Sequence, residues 1–212
     1  MNLSRTWFSL LTISFLFSWG SISAAQQNNK VWEEDSIPGK FAPLIPLEEA
    51  LLYKAGLNVL GDYYSGLVLI KDAREDSAIH VVFLNELGLN LLDLAYRNDE
   101  FEVRSVQDFL NRSSIIKTLK KDFRCLLLDL SLIQKFKVKS EDDGVTETLK
   151  FRHKCQRYTY SYRENSGPVN IQRRGGLFGR VEFQIDGGEQ KKINIDHRGI
   201  RLKIVLTELK KL

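Results

Sequence analysis

Histidine, cysteine and serine are the residue types in this chain that could carry catalysis or hold a metal ion. The three histidines, His80, His153 and His197, fall on separate predicted strands or turns, and neither His-Glu-x-x-His nor Cys-x-x-Cys spacing accompanies them. His197 is predicted to lie in a polar hairpin turn, and His80 to be paired or solvated where a strand begins. There is no Gly-x-Ser-x-Gly elbow and no cysteine with a convincing histidine partner. We therefore expect no catalytic residue, no metal site, no cofactor and no enzyme activity.

Two further patterns could contact an anion or a membrane. Residues 175–179 (Gly-Gly-Leu-Phe-Gly) lack the Lys-Ser/Thr ending of a phosphate loop, which leaves a flexible connection or a lip that touches a membrane or a lipoprotein. The basic stretch from Lys150 to Arg157 precedes Tyr158, Tyr160 and Tyr162, which share one side of a predicted strand. Basic and aromatic side chains together can bind nucleic acid, but the export signal described next argues against it. We predict a solvated sheet face there, or a surface for anionic lipid headgroups.

The first 25 residues have the three parts of a cleavable export signal. Arg5 supplies the positive charge, Trp7 to Trp19 is mostly apolar, and residues 23–25 (Ser-Ala-Ala) are small enough for signal peptidase. The apolar run is shorter than the roughly 20 residues that span a bilayer, and no cysteine near the cut could accept a lipid. Loss of Arg5 lowers the formal net charge from +4 to +3, which is too small to indicate a nucleic-acid partner. We expect a soluble periplasmic protein.

Cys125 and Cys155 are the only cysteines. An oxidising compartment permits a disulfide between them, and closing that loop would stabilise the fold by about 3–4 kcal/mol on the chain-entropy estimate. Geometry decides whether the bond forms, and the sequence does not supply it. A possible disulfide and two buried, inert thiols therefore remain open alternatives.

The mature chain divides into a flexible arm over residues 26–45 and one domain over residues 46–212. Pro38-Gly39 and Pro43 break up the polar arm. A short helix is then predicted between Pro46 and Gly56, because apolar residues recur there at helical spacing.

From Leu57 the apolar period changes to 2 and predicts strands joined by short turns. These strands are expected at about 57–61, 64–71, 78–85, 87–96, 101–106, 146–152, 156–163, 169–173, 180–186, 191–196 and 200–206. One long amphipathic helix interrupts them, with an apolar stripe from Ile115 to Ile133 at spacings of three and four and a cap at Ser113 or Ser114.

An antiparallel sheet with one dry face needs a cover. We predict a mainly β fold with α: a curled antiparallel sheet, forming an open, incomplete barrel, with the one long amphipathic helix as plug or lid. A two-sheet sandwich with the helix at one end is the alternative. A curled sheet too wide for its side chains to fill encloses an apolar cavity, which suits a lipid or an acyl chain.

This layout resembles the LolA/LolB lipoprotein carriers. More locally, the likeness rests on two segments and one residue: His80-Val-Val-Phe-Leu-Asn-Glu-Leu-Gly88, Phe109-Leu110 through Leu119-Lys-Lys-Asp-Phe-Arg124, and Asp93. These look like a family of uncharacterised exported proteins in that fold group, and the likeness covers roughly Leu67 to Leu130. The resemblance implies a carrier that holds acyl chains and catalyses nothing. The outer-membrane member of that pair is itself a lipoprotein, and the lack of an acceptor cysteine here implies a soluble periplasmic role.

We therefore expect a periplasmic carrier that binds a lipid or lipoprotein acyl chain between sheet and helix, with transient membrane contact as a possible step and no nucleic-acid partner. The sequence leaves the oligomeric state open. The expected lining is Leu67, Leu69, Val81, Phe83, Ile116, Leu119, Phe123, Val181, Phe183, Ile185 and Leu202. The alternative is a non-catalytic structural or adaptor subunit of a cell-envelope assembly, which would have a filled core and an exposed apolar patch.

Overall fold

The computed structural model describes residues 37–42, 44–45, 50–73, 77–141, 145–163, 167–175 and 179–211. The predicted signal peptide, most of the predicted arm and residues 176–178 lie outside these ranges. The described elements, in chain order, are β1 (Leu51–Val59), β2 (Asp62–Ala73), β3 (Ala78–Asn85), β4 (Asn90–Arg97), β5 (Glu100–Val106), α1 (Ser113–Leu127), the 3-10 turn η1 (Leu130–Leu132), β6 (Phe136–Ser140), β7 (Thr146–His153), β8 (Gln156–Arg163), β9 (Pro168–Arg174), β10 (Arg180–Asp186), β11 (Lys192–Arg198) and β12 (Leu202–Lys211). The prediction of a mainly antiparallel β fold with one long helix is confirmed.

The twelve strands of the described ranges form one antiparallel sheet in the order β5-β4-β3-β2-β1-β12-β11-β10-β9-β8-β7-β6. Strands β1 to β5 and β6 to β12 are two meanders, which join where β1 pairs with β12. The sheet is open, because β5 and β6 are its two edges. Since α1 connects β5 to β6 along the chain, the helical segment must pass from one edge of the sheet to the other.

The sheet is strongly curled. Nine strand positions separate β4 from β7, which would place them about 43 Å apart in a flat sheet at about 4.8 Å per strand. Asp99, in the turn between β4 and β5, nevertheless lies 2.6 Å from Nε2 of His153 at the end of β7. The two ends of the sheet therefore approach each other, and α1 lies inside the curl.

Alternating burial along the strands places one apolar face of the sheet against α1. Leu51, Tyr53 and Ala55 of β1 are buried on this inner face, whereas Lys54 is exposed on the outer face. The helix contributes its apolar stripe to the same core, through Ile115, Leu119, Phe123, Leu126 and Leu127. Helix and sheet thus share one core, as binary patterning requires of a single-layer sheet with one cover.

Two predicted elements near the amino terminus are wrong where the structure describes them. The short helix predicted up to Gly56 is strand β1 from Leu51 onward, because this segment also alternates at period 2 and pairs with a strand on each side; residues 46–49 lie outside the described ranges. The predicted arm is not free at its end, since Phe41, Leu44 and Ile45 are buried in the core.

Three details of the remaining elements also differ from prediction. Arg112 is the residue before the helix and has an extended backbone, so α1 has no side-chain cap from Ser113 or Ser114. The helix ends at Leu127, although its apolar stripe was predicted to run to Ile133. The last buried residues of that stripe, Leu130 and Ile133, belong to η1 and the residue after it. Strand β6 was missed, because its alternating lysines left only two apolar residues to define a period.

Candidate functional site

A groove of about 770 Å³ lies at the β6 edge of the sheet, where the segment after η1 meets β6, β7 and β8. This volume falls in the range typical of ligand pockets. The lining residues are Leu132, Ile133, Gln134, Lys135, Phe136, Lys137, Lys150, Phe151, Arg152, His153, Lys154, Arg157, Tyr158 and Thr159. We call this site the β6 groove.

Strand register supplies the apolar part of the β6 groove. Phe136 pairs with Phe151, and Phe151 pairs with Tyr158, so three aromatic side chains form one cross-strand row on the same face. The rings of Phe151 and Tyr158 are stacked with centroids 5.1 Å apart. Leu132 adds an apolar side chain that is 47% exposed. Phe151 and Tyr158 are buried beneath the groove, so the apolar surface open to a ligand comes mainly from Leu132 and the half-buried Phe136.

The charged part of the β6 groove is entirely basic. Six lysines and arginines line it and no acidic residue does: Lys135, Lys137, Lys150, Arg152, Lys154 and Arg157. Of these, Lys154 is neutralised by Asp99 and Glu100. The remaining cations make no ion pair with a carboxylate of the described residues. Lys137, Lys150, Arg152 and Arg157 alternate with the aromatic row and therefore point to the opposite face of the sheet. An anionic group at the β6 edge would find this unpaired positive charge on one side of the edge and the apolar surface on the other.

A cluster around Asp99 adjoins the β6 groove and joins the two ends of the curled sheet. The Asp99 carboxylate accepts a hydrogen bond from the Tyr96 hydroxyl at 3.0 Å, lies 3.1 Å from Nε of Arg124 on α1, and is 2.6 Å from His153 and 2.9 Å from Lys154. Burial alone would raise the pKa of Asp99, but hydrogen bonds from Lys154, His153 and Tyr96 and the charge of Arg124 together hold that pKa below its ordinary value. We call this set the Asp99 cluster.

A second cluster of charges is buried between α1 and the inner face of the sheet. Asp122 of α1 lies 2.8 Å from the Arg173 guanidinium of β9 and 2.8 Å from Nε2 of His197 on β11. Their side chains are 1%, 4% and 2% exposed for Asp122, Arg173 and His197. Nδ1 of His197 lies 2.8 Å from the Leu202 carbonyl oxygen. We call these three side chains the Asp122 cluster.

Both ring nitrogens of His197 face oxygen acceptors, and only a doubly protonated imidazole can donate to both. Burial opposes that charge, but the hydrogen bond and charge of Asp122 and the Leu202 carbonyl outweigh it and raise the pKa of His197 above its ordinary value. His197 lies in strand β11 with its side chain 2% exposed, so its predicted placement in a polar hairpin turn is wrong.

The side chains predicted to line a cavity under the helix lie instead in three different environments. Seven are buried in the shared core: Val81, Phe83, Leu119, Phe123, Val181, Phe183 and Leu202. Ile116 and Ile185 are half-buried and pack against that core. Leu67 and Leu69 alternate with the buried Val68 and Ile70, so they lie on the outer face of β2. None of the eleven lines the β6 groove.

The other candidate residues are placed as follows. Cys125 is buried on α1, Cys155 is exposed in the turn after β7, and both are free, so the disulfide between them is not formed. Tyr158, Tyr160 and Tyr162 are buried on the inner face and do not line a solvated one. His80, predicted to be either paired or solvated, is paired, with Nδ1 3.2 Å from Asp93.

The Asp122 cluster had a sequence signal that was overlooked. Asp122 falls within the apolar stripe of α1, three residues after Leu119 and four before Leu126. Arg173 and His197 likewise continue the inner alternation of Ile171 and Ile195. A charged residue at an inward-facing position of a helix or strand is costly to bury unless a partner of opposite charge lies beside it.

No family model and no curated protein matches this chain. Within the described ranges, no group of histidine, cysteine and acidic side chains has the arrangement of a metal site. In the same ranges, no helix combines the length and the apolar character needed to span a membrane.

Proposed function

We propose that this chain is a periplasmic, non-catalytic carrier that binds the acyl chain of a lipid or lipoprotein in the β6 groove. The observation that carries the proposal is the pairing, in one groove, of an apolar surface with unpaired basic side chains. An amphiphile with an acyl chain and an acidic headgroup has the complementary chemistry. The space beneath α1 is not the proposed site, because the apolar side chains there already pack against one another.

The energy for such binding comes from the acyl chain. Each methylene moved from water to an apolar surface contributes roughly 0.8 kcal/mol, so about ten fully covered methylenes supply the roughly 8 kcal/mol of micromolar affinity before the cost of association is subtracted. The basic side chains orient the headgroup and raise the association rate more than they raise affinity. The likeness to LolA/LolB carriers supports the same class of ligand.

The test is native mass spectrometry of the mature protein purified from the periplasm, followed by organic extraction. We expect a stoichiometric acyl-bearing ligand, or uptake of added palmitate or phosphatidylglycerol by the emptied protein. Leu132→Asp should weaken that uptake at least tenfold, because it places a carboxylate on the apolar surface of the groove. Leu132 is 47% exposed, so the variant should still fold.

Leu87→Asp is the matched control, since Leu87 is 85% exposed in the turn between β3 and β4, outside the β6 groove. It should take up ligand as the wild type does. A clean apo mass with no uptake by the wild-type protein, or equal uptake by wild type and Leu132→Asp, would remove the carrier proposal.

An adaptor subunit is the second candidate function. Leu87 and Leu89 are exposed in one turn, and Leu87 shares a smaller groove with Tyr63. Exposed apolar residues grouped in this way are typical of protein docking sites. Photo-crosslinking from position 87 in living cells should give one discrete protein adduct for an adaptor and no such adduct for a free carrier.

A further inference from the structure

Strand register places five arginines directly opposite one another across five neighbouring strands. Arg152 of β7 pairs with Arg157 of β8, Arg157 pairs with Arg174 of β9, Arg174 pairs with Arg180 of β10, and Arg180 pairs with Arg198 of β11. We call this set the arginine row. Four strand spacings of about 4.8 Å give it a length of about 19 Å.

The arginine row lies on the outer face of the sheet. Directly paired residues share a face, and the next row along the same strands points inward, with Phe151, Tyr158, Arg173, Val181 and His197 in register. The members of that inner row are buried or half-buried. Four members of the arginine row are exposed and Arg180 is half-buried. The guanidinium groups of the four exposed arginines therefore lie along the outside of the curl, whereas Nε of Arg180 is buried.

This arrangement costs stability unless an anion is present, because like charges directly opposite on neighbouring strands repel. No carboxylate of the described residues forms an ion pair with any of the five arginines. Two of the five have a neutral partner within the protein: the Gln172 side-chain oxygen accepts hydrogen bonds from Arg174 and Arg180 at 3.4 and 3.3 Å.

Two carboxylates of the described residues lie on the outer face beside the arginine row. Glu182 and Asp196 lie two residues further along β10 and β11, opposite each other. Glu182 accepts a hydrogen bond from Asn170, and Asp196 forms an ion pair with Lys203 at 3.3 Å. Asp196 thus has a cation of its own, and Glu182 supplies one negative charge beside five positive ones, so the arginine row keeps an excess of positive charge for an external partner.

We propose that the arginine row docks this protein on a bilayer surface that contains anionic phospholipid. Arginine suits this partner because its planar fork can donate two hydrogen bonds to one phosphate. A row of five guanidinium groups can engage several headgroups at once. Single-stranded nucleic acid fits less well, since neither the arginine row nor the adjoining row through Lys150, Thr159, Gln172, Glu182 and Asp196 contains an aromatic side chain on which bases could stack.

The proposal does not depend on what the β6 groove binds. Only Arg152 and Arg157 belong to both sites, whereas Arg174, Arg180 and Arg198 belong to the arginine row alone. The test therefore uses the double variant Arg174→Gln, Arg198→Gln, which leaves the groove intact. The matched control is Lys54→Gln, Arg97→Gln, which removes the same charge at two exposed positions outside the row.

The measurement is cosedimentation of the full mature protein with vesicles of phosphatidylcholine mixed with phosphatidylglycerol, and with vesicles of phosphatidylcholine alone. The wild type and the control should bind the anionic vesicles, and added salt should release them. The arginine variant should partition roughly thirtyfold more weakly, since each basic residue near an anionic surface contributes about a fivefold factor. Its uptake of ligand in the groove should be unchanged.

Equal partitioning by the arginine variant and the control would overturn the proposal. So would equal binding of the wild type to neutral and anionic vesicles, or tighter binding to a single-stranded oligonucleotide than to the anionic vesicles. Loss of groove uptake with normal vesicle binding in Leu132→Asp would show that the two sites are separate.

Discussion

At the scale of single residues, the most consequential group is the carboxylate of Asp122. It is the only anion of its buried cluster, and it faces the cations Arg173 and His197. Taking these charges out of water is costly, and their attraction offsets that cost only while the set is complete. One carboxylate therefore joins α1 to two separate strands, β9 and β11.

Asp122→Asn should lower the free energy of unfolding by about 3–5 kcal/mol, because it leaves buried cations without an anion. Urea denaturation measures this loss. Asp196→Asn is the matched control, since its ion pair with Lys203 is about half exposed and such pairs contribute about 0–1 kcal/mol. A loss for Asp122→Asn no larger than that of the control would contradict the role assigned to Asp122.

His197 gives the same cluster a pH dependence. The raised pKa of His197 means that its stabilising contribution is fully present below the ordinary histidine pKa of about 6.5 and is lost as pH rises through the raised value. The stability of the wild type relative to His197→Gln should therefore fall as pH rises from about 6.5 upward through the raised pKa. Urea midpoints of both proteins across this range provide the measurement, and a difference that grows with pH would have the wrong sign.

Residue patterns predict less of the site than of the fold. The basic stretch around Lys150 to Arg157 is visible in the sequence, and it does line the β6 groove. The arginine row is not visible, because Arg152 and Arg198 become neighbours of a common row only through the register of four strand pairs. Register depends on contacts between segments that are distant in the chain.

At the scale of elements, the edge strands β5 and β6 do not pair with each other, and the side chains of the Asp99 cluster connect the two ends of the sheet instead. It connects the β4–β5 turn, α1 and the end of β7 through side chains. Asp99 has a φ of 59°, which aspartate and asparagine tolerate better than most residues. The turn geometry and the charge thus serve the same contact.

Asp99→Asn should keep this backbone conformation but lose the charge, and we expect a loss of about 1.5–3 kcal/mol, the range for hydrogen bonds to charged groups. Hydrogen exchange should speed up in the β4–β5 and β7–β8 turns before it does so in the centre of the sheet. Asp62→Asn, at an exposed position at the start of β2, should leave exchange unchanged. Uniform acceleration across the sheet would argue against a local contact.

The lowered pKa of Asp99 also sets the direction of its pH effect. Its contribution is present above the ordinary aspartate pKa of about 3.9 and disappears as pH falls through the lowered value. The difference in unfolding free energy between wild type and Asp99→Asn should therefore shrink in acid, as measured by urea titration at several pH values. A difference that persists unchanged well below pH 3 would exclude the charge as its cause.

The bounds of the strands were predictable where one face of the strand is exposed to solvent and the other is buried. Strands β3, β8 and β10 have the predicted bounds. Alternation is strict in β8 and β10, and polar turn residues on either side define the ends of β3. Strand β1 was wrongly predicted as a helix, because the spacing of Leu47, Ala50, Leu51 and Lys54 also fits a helical period. For a short apolar run, periodicity alone does not distinguish the two.

At the scale of the whole molecule, α1 lies inside a sheet that is open at one seam. Polar contacts hold it at Asp122 and Arg124, and its apolar stripe completes the core. Cys125, buried next to Asp122 on α1, reports on this arrangement, because burial raises the pKa of its thiol to about 12. It should react with a thiol reagent only after the helix leaves the sheet.

A Cys155→Ser variant leaves Cys125 as the only thiol, so its labelling rate at about pH 8, well below the raised pKa, measures opening of the helix. We expect slow labelling that Asp122→Asn accelerates by roughly two to four orders of magnitude, in proportion to the stability lost, whereas Asp196→Asn does not. Rapid labelling of the native protein would mean that the helix is not seated as described. Saturation with phosphatidylglycerol then locates the ligand: binding in the β6 groove leaves the rate the same or lower, whereas a ligand that displaces α1 from the sheet must raise it.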